Sequence, residues 1–216
     1  MTVVGLVVEG TLDFPIIGAF LEAELPETFA RPIRLKHLQP VPDAASGGYS
    51  GGGWGRVVGW CKAHHADGIE TYFNPIEEED VVCDLIVVQI DGDAMTPCSD
   101  HASFEAPSET CSIEERIESL EKMVLEWLAP TPARVSQIRF AFPTMHSEAW
   151  LLAGLKPNEA PWENEADAKT PFRALKPAQP KMNMASWYKI KSEEVGPLGD
   201  IIAPQSRSFS SFRDNL

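Results

Sequence analysis

Short apolar runs alternate along this chain with longer stretches in which apolar residues recur every three or four positions, a rhythm that predicts strands and helices in turn. Thr2 to Val8 is a β-branched apolar run that stops at Glu9-Gly10, the pattern of a buried parallel strand. A helix is predicted next, with Asp13 as its cap, Phe14, Ile17, Leu21 and Leu25 on one face, and Pro15 in its first turn. Pro32 to Leu38 alternates moderately and reads as a second strand. After the glycine-rich stretch Ser46 to Gly55, the residues Trp54, Val58, Cys61 and His65 fall on one helical face. Val81 to Ile90 is the strongest strand signal, interrupted only by Asp84 and Gln89, and it runs directly into Asp91-Gly92-Asp93.

The second half continues the rhythm. Ser112 and Glu115 form a capping-box signature, followed by Ile113, Ile117, Leu120, Val124 and Trp127 at helical spacing. Arg134 to Phe142 alternates as a strand, and Ser147 to Ala153 opens a helix after Pro143. Beyond Gly154 the pattern decays into Pro-, Lys- and Glu-rich sequence, with short helical signals at Ser186 to Lys191 and Ser206 to Leu216. The expected fold is α/β. Residues 1–154 form one β/α domain with a mostly parallel central sheet flanked by helices, and residues 155–216 form a C-terminal extension, weakly structured or wrapping on the core.

Composition narrows the picture. The chain has 216 residues, enough for one well-buried core, and its 44% hydrophobic content excludes wholesale disorder. Its apolar runs are too short to span a bilayer and its first residues do not resemble a secretory signal, so cytoplasmic residence without a membrane is the expectation. Cys61, Cys83, Cys98 and Cys111 show no CxxC spacing and read as reduced thiols; Cys98, His101 and Cys111 offer three zinc ligands but no fourth at a familiar interval. The net charge of −14 excludes a protein that coats nucleic acid through phosphate contacts alone. A metal-dependent site, however, is acidic before its ions bind, and basic residues do cluster, as at Arg31, Arg34, Lys36 and His37.

In an open parallel sheet, ligands bind beyond the carboxyl ends of the strands. The residues predicted to stand there are Glu9, the Asp91 and Asp93 pair, and the segment around His146 and Glu148. Singly, such acids are ordinary caps and turn formers. Gathered on one edge, they supply the oxygen ligands a divalent ion needs to promote displacement at phosphorus. The glycine-rich stretch lacks the Gly-Lys-Ser/Thr ending of a phosphate-binding loop, so it reads either as a surface loop or as a backbone that meets substrate phosphates together with Arg56, with Tyr49 and Trp54 stacking on bases. His146 reads as a substrate contact or nearby base, or as polar surface.

Two segments, Val7-Val-Glu-Gly-Thr-Leu-Asp13 and Ile90-Asp-Gly-Asp93, together resemble the TOPRIM domain shared by topoisomerases, bacterial primases and the overcoming-lysogenization-defect nucleases. Ser147-Glu-Ala-Trp-Leu-Leu-Ala153 resembles a segment of small bacterial TOPRIM-like proteins, some encoded beside ATPases in phage-defence loci. The resemblance covers residues 1–154 and implies a TOPRIM-like Rossmannoid fold and a Mg²⁺- or Mn²⁺-dependent nuclease. It implies catalytic roles for Glu9, Asp91, Asp93 and Glu148, metal coordination by Glu9, Asp13, Asp91 and Asp93, a nucleic-acid substrate, DNA or RNA, and an ATPase partner. Asp13 reads equally as a helix cap, and Glu148 equally as part of a packing segment with Trp150 and Leu151. The alternative is a non-catalytic interaction or regulatory subunit of the same fold, in keeping with the negative charge. A phosphatase of the haloacid dehalogenase type needs its acidic pair on the first strand, with Thr or Val two residues past the second Asp, where this chain has Met95.

Overall fold

A strand that is apolar on both faces must be covered on both. In the computed structural model, which describes residues 1–29, 31–43, 48–49, 52–74, 82–108, 110–159, 161–178 and 182–216, the chain supplies that cover. It runs through β1 (Thr2–Val7), α1 (Asp13–Phe29), β2 (Ile33–Gln39), the short strands β3 (Pro42–Asp43) and β4 (Gly48–Tyr49), α2 (Trp54–Ala63), α3 (Asp67–Phe73), β5 (Leu85–Gln89), α4 (Met95–Ser99) and α5 (Ile113–Leu128). It continues with α6 (Pro132–Val135), β6 (Ile138–Ala141), α7 (Glu148–Leu155), α8 (Lys169–Ala174), α9 (Met184–Val195), α10 (Gly199–Ile202) and α11 (Arg207–Asp214). Ser46, Gly47, Ser50 and Gly51 of the glycine-rich stretch, Val81 at the head of the strongest strand signal, and the side chain of Tyr49 lie outside the described residues.

The central sheet has four strands in the order β2-β1-β5-β6, all parallel. From β1 the chain crosses to β2 on one side, then returns past β1 to β5 and on to β6. Crossovers of one hand that travel in opposite directions place their helices on opposite faces. The cores follow this. Val4, Leu6, Val8, Leu85 and Val87 face α1, α7 and the C-terminal helices, while Val3, Val7, Ile86, Val88 and Ile90 face α2, α3 and α5. The period-two division of β1 and β5 between two cores is why these strands are apolar apart from Thr2 and Gln89.

Local signals set several boundaries. The capping box at Ser112 and Glu115 is formed in both directions and starts α5. Asp84 accepts a hydrogen bond from the Val3 N–H (2.8 Å) just before β5 begins, so the strand is shorter than its apolar run. The strand predicted over Arg134 to Phe142 needs correction, because Pro132 opens a helical turn and Arg134 is held there by Glu70 (2.8 Å), leaving only Ile138–Ala141 in the sheet. The C-terminal extension carries α8 to α11, and Phe172, Tyr188, Val195, Ile202, Phe209 and Phe212 are buried in the same cluster as Phe20 and Trp150. No helix among the described residues is long and apolar enough to cross a membrane.

Candidate metal centre

The strand order reverses direction between β1 and β5, the position at which parallel sheets ordinarily bind their ligands. Glu9 leaves the end of β1, and Asp91 and Asp93 leave the end of β5. The Glu9 carboxylate accepts the Asp91 N–H through Oε1 at 2.7 Å, across a sequence separation of 82. The next strand end, that of β6, delivers His146, whose Nδ1 lies 3.2 Å from Asp91 Oδ2 and 3.8 Å from Asp93 Oδ2. Asp91, Asp93 and His146 each present a ligand atom within 4.8 Å of the others, a set suited to a divalent ion.

Supporting contacts fix these groups. Gln89, fully buried in β5, donates to Asp91 Oδ1 (2.8 Å) and accepts the Glu9 N–H (3.0 Å), tying the two acid-bearing strand ends together. Asp13, in the first turn of α1, accepts from the Ser147 hydroxyl at 2.6 Å. Lys169, on α8, places its ammonium 3.4 Å from Asp91 Oδ2. Glu148 is buried behind this group, where Tyr188 donates to its Oε1 at 2.6 Å.

Glycines let the loops approach. A Cβ on Gly92 would stand 2.1 Å from the Thr144 carbonyl oxygen, and the Gly92 N–H donates to the Pro143 carbonyl (2.8 Å), so the turn between the two aspartates fits only without a side chain. Gly92→Ala is expected to lower the melting temperature by roughly 2–10 °C through overpacking and to weaken divalent-ion binding, readable by thermal unfolding and Mn²⁺ titration. On the other side of the site, a Cβ on Gly52 would lie 2.5 Å from the Glu9 carbonyl oxygen. Gly53, at φ 102°, donates its N–H to that oxygen (2.7 Å) as the chain enters α2. The described end of the glycine-rich stretch is thus seated on the backbone of Glu9.

Crowding acids has an electrostatic cost. Glu9 and Asp13 retain some surface but are densely enclosed. Burial foremost, then repulsion from Asp91, pushes Glu9 up from an ordinary 4.5 to about 9 and Asp13 up from 3.8 to about 8. Asp93 is raised by burial and by Asp91. His146 is raised, first by its hydrogen bond to Asp91. Burial alone would lower Lys169, but the carboxylates, Asp91 first among them, outweigh it and hold the ammonium above its ordinary value.

These directions fix a pH dependence. Glu9 and Asp13 keep protons in the folded chain that the unfolded chain has already released, so their contribution to stability is complete below about pH 4 and is lost as pH rises through about 8 and 9. His146, with its raised value, acts in the same direction. The melting temperature of the metal-free protein is expected to fall from pH 5 to pH 9. Mn²⁺ is expected to restore more of it at pH 8 than at pH 5, because the ion competes with those protons. A scanning-calorimetry series with and without the ion checks both statements.

Of the residues singled out from sequence, Glu9, Asp13, Asp91, Asp93 and His146 are brought together at one rim. His146 stands with the two aspartates as a third donor. Glu148 is 2% exposed and hydrogen-bonded to Tyr188, one layer back, where its charge acts on Asp13 and Lys169. Arg56 is exposed on the first turn of α2, just past the glycines that touch Glu9. Trp54 packs beside His101, with ring centroids 5.7 Å apart. Lys169 and Gln89 were not anticipated. Gln89 had a signal, a polar residue inside an otherwise apolar run two positions before Asp91, whereas Lys169 had none. Compared with protein-family models, with curated proteins and with solved structures, the chain gives no match, and the reading of this site rests on its own geometry.

Proposed function

We propose that the chain is a metal-dependent nuclease that cleaves nucleic-acid phosphodiesters at this centre, with the TOPRIM-like arrangement its motifs suggest. One observation carries the reading: acids from two strand ends far apart in sequence meet at the switch point of a parallel sheet, with a histidine completing a ligand set. The donors fit a divalent ion. Asp91 and Asp93 suit either Mg²⁺ or Mn²⁺, and the His146 imidazole makes Mn²⁺ the better fit. Such an ion, when bound, activates water and neutralises charge on the phosphate oxygens.

The protein groups have distinct work. Asp91, Asp93 and His146 hold the ion, and Gln89 orients Asp91 from behind through its amide. Glu9 already spends Oε1 on the Asp91 N–H, which leaves its other oxygen to serve as proton donor or acceptor beside the reacting phosphate. Lys169 offers a cation to the same phosphate. An ATPase partner and a role in phage defence belong to this proposal on the strength of the sequence resemblance alone.

A second reading, an interaction subunit with a vestigial site, is favoured by one feature: the Lys169 ammonium already lies on Asp91 Oδ2, balancing the acids without an ion. Incubating the purified chain with plasmid, single-stranded DNA and transfer RNA in Mg²⁺ and in Mn²⁺ separates the two. Cleavage that needs the ion and disappears with chelator supports the nuclease. Failure to cleave any substrate, together with failure to bind Mn²⁺ in a calorimetric titration, supports the interaction subunit.

A further inference from the structure

Glu163 belongs to the C-terminal extension, in a single helical turn over Trp162–Asn164, and is 7% exposed. Its carboxylate is engaged from two directions. On one side it meets the start of α11: the Ser208 N–H (2.6 Å) and the Ser206 hydroxyl (3.1 Å) donate to Oε1, and the Arg207 N–H (2.6 Å) donates to Oε2. On the other side the Thr144 hydroxyl donates to Oε1 at 3.0 Å. A carboxylate accepting backbone N–H groups at a helix start satisfies donors that the helix itself leaves unpaired. Its fourth bond goes elsewhere, to the loop that follows β6.

That loop carries the site. The Pro143 carbonyl accepts the Gly92 N–H at 2.8 Å, and the Thr144 carbonyl closes over Gly92 so tightly that a Cβ there would lie 2.1 Å away. Gly92 separates the two aspartates, and His146 follows Thr144 in the same loop. Any movement of Thr144 therefore moves the seat of the aspartate turn and the approach of the imidazole together. We infer that Glu163 is a positioning residue for the metal centre, holding the loop after β6 through the Thr144 hydroxyl and with it the Asp91–Asp93 turn and His146. The inference rests on the metal-site reading for its consequence in binding, but the geometric coupling it describes has its own readout.

Three variants separate coupling from general support. Thr144→Val removes only the hydroxyl that faces Glu163 and leaves the bonds to α11 in place. Ser206→Ala removes a bond on the α11 side and the cap that accepts the Phe209 N–H. Glu163→Gln weakens both sides. Mn²⁺ affinity by calorimetry and the imidazole ¹H–¹⁵N signals of His146 at fixed pH are measured for each. Thr144→Val and Glu163→Gln are expected to weaken Mn²⁺ binding about 10-fold, the usual size of an outer-sphere effect, and to shift the His146 signals. Ser206→Ala is expected to lower the melting temperature while leaving Mn²⁺ affinity and the His146 signals as in the parent. Unchanged affinity and unchanged signals in Thr144→Val overturn the inference, as does Ser206→Ala moving both as far as Thr144→Val does. If the parent protein binds no Mn²⁺, the metal reading falls, and the His146 signals of the three variants alone decide the coupling.

Discussion

Replacing Asp91 with asparagine is expected to reduce metal-dependent cleavage by at least about 10³-fold while leaving the fold intact, since a bound ion supplies several kcal/mol of transition-state stabilisation and each 1.4 kcal/mol is tenfold in rate. Asp91 is where the contacts of the site converge. It accepts from the Gln89 amide (2.8 Å), lies 3.2 Å from His146 Nδ1 and 3.4 Å from Lys169 Nζ, and donates its own N–H to Glu9. Asparagine preserves the volume and the backbone bond to Glu9. It removes the charge that holds the imidazole and the ammonium and that would hold an ion. Mn²⁺ titration and plasmid nicking by the variant test the two consequences together. Cleavage at the parent rate would remove these acids from the chemistry. Asp93→Asn is expected to cost less, because its side chain is 44% exposed and water can replace part of its coordination.

Removing residues 155–216 is expected to abolish cooperative folding altogether. The extension inserts Phe172, Tyr188, Val195, Ile202, Phe209 and Phe212 into the core beside α1 and α7. Phe209 packs edge-on against Phe20 with ring centroids 4.8 Å apart, Phe212 stacks on Trp150 at 5.4 Å, and Ser208 accepts the Trp150 indole N–H at 2.9 Å. Burial of such side chains contributes about 1.5–3 kcal/mol each, so losing six removes as much as the roughly 5–15 kcal/mol that holds an ordinary domain together. A fragment of residues 1–154 should show weak near-ultraviolet dichroism, bind a hydrophobic dye and melt without a sharp transition. A fragment that unfolds cooperatively with parent-like aromatic signals would mean that the extension merely lies on a finished domain. The same truncation removes Lys169, so the acids would also lose their cation.

Much of the architecture was legible because its causes are local. The apolar runs at Thr2 to Val8 and Val81 to Ile90 announce buried strands, and the Ser112/Glu115 box announces the start of α5, since each depends on residues a few positions apart. The extension was less legible. Its helices are short and separated by prolines, and its aromatic residues are scattered, so periodicity fails although Trp187, Tyr188, Phe209 and Phe212 all become buried. Arg134 misled for a related reason: alternation suggested a strand, but its ion pair to Glu70 on α3 and the Pro132 turn hold it in a helix.

By itself the sequence determined that carboxylates follow two strongly apolar strands, and a parallel sheet then required Glu9 and Asp91 to emerge on the same rim. Strand order was not contained in that pattern. It placed β1 beside β5 and thereby set Glu9 against the Asp91 backbone, and it brought His146 across a separation of 55 residues. The arrival of Lys169 from α8, 78 residues beyond Asp91, and the burial of Glu148 against Tyr188 likewise depended on how the C-terminal helices pack. Local periodicity fixes which way each side chain leaves its own strand or helix, whereas a shared site requires several such elements to be docked in register, and that docking is set by the burial of surfaces distant in the chain.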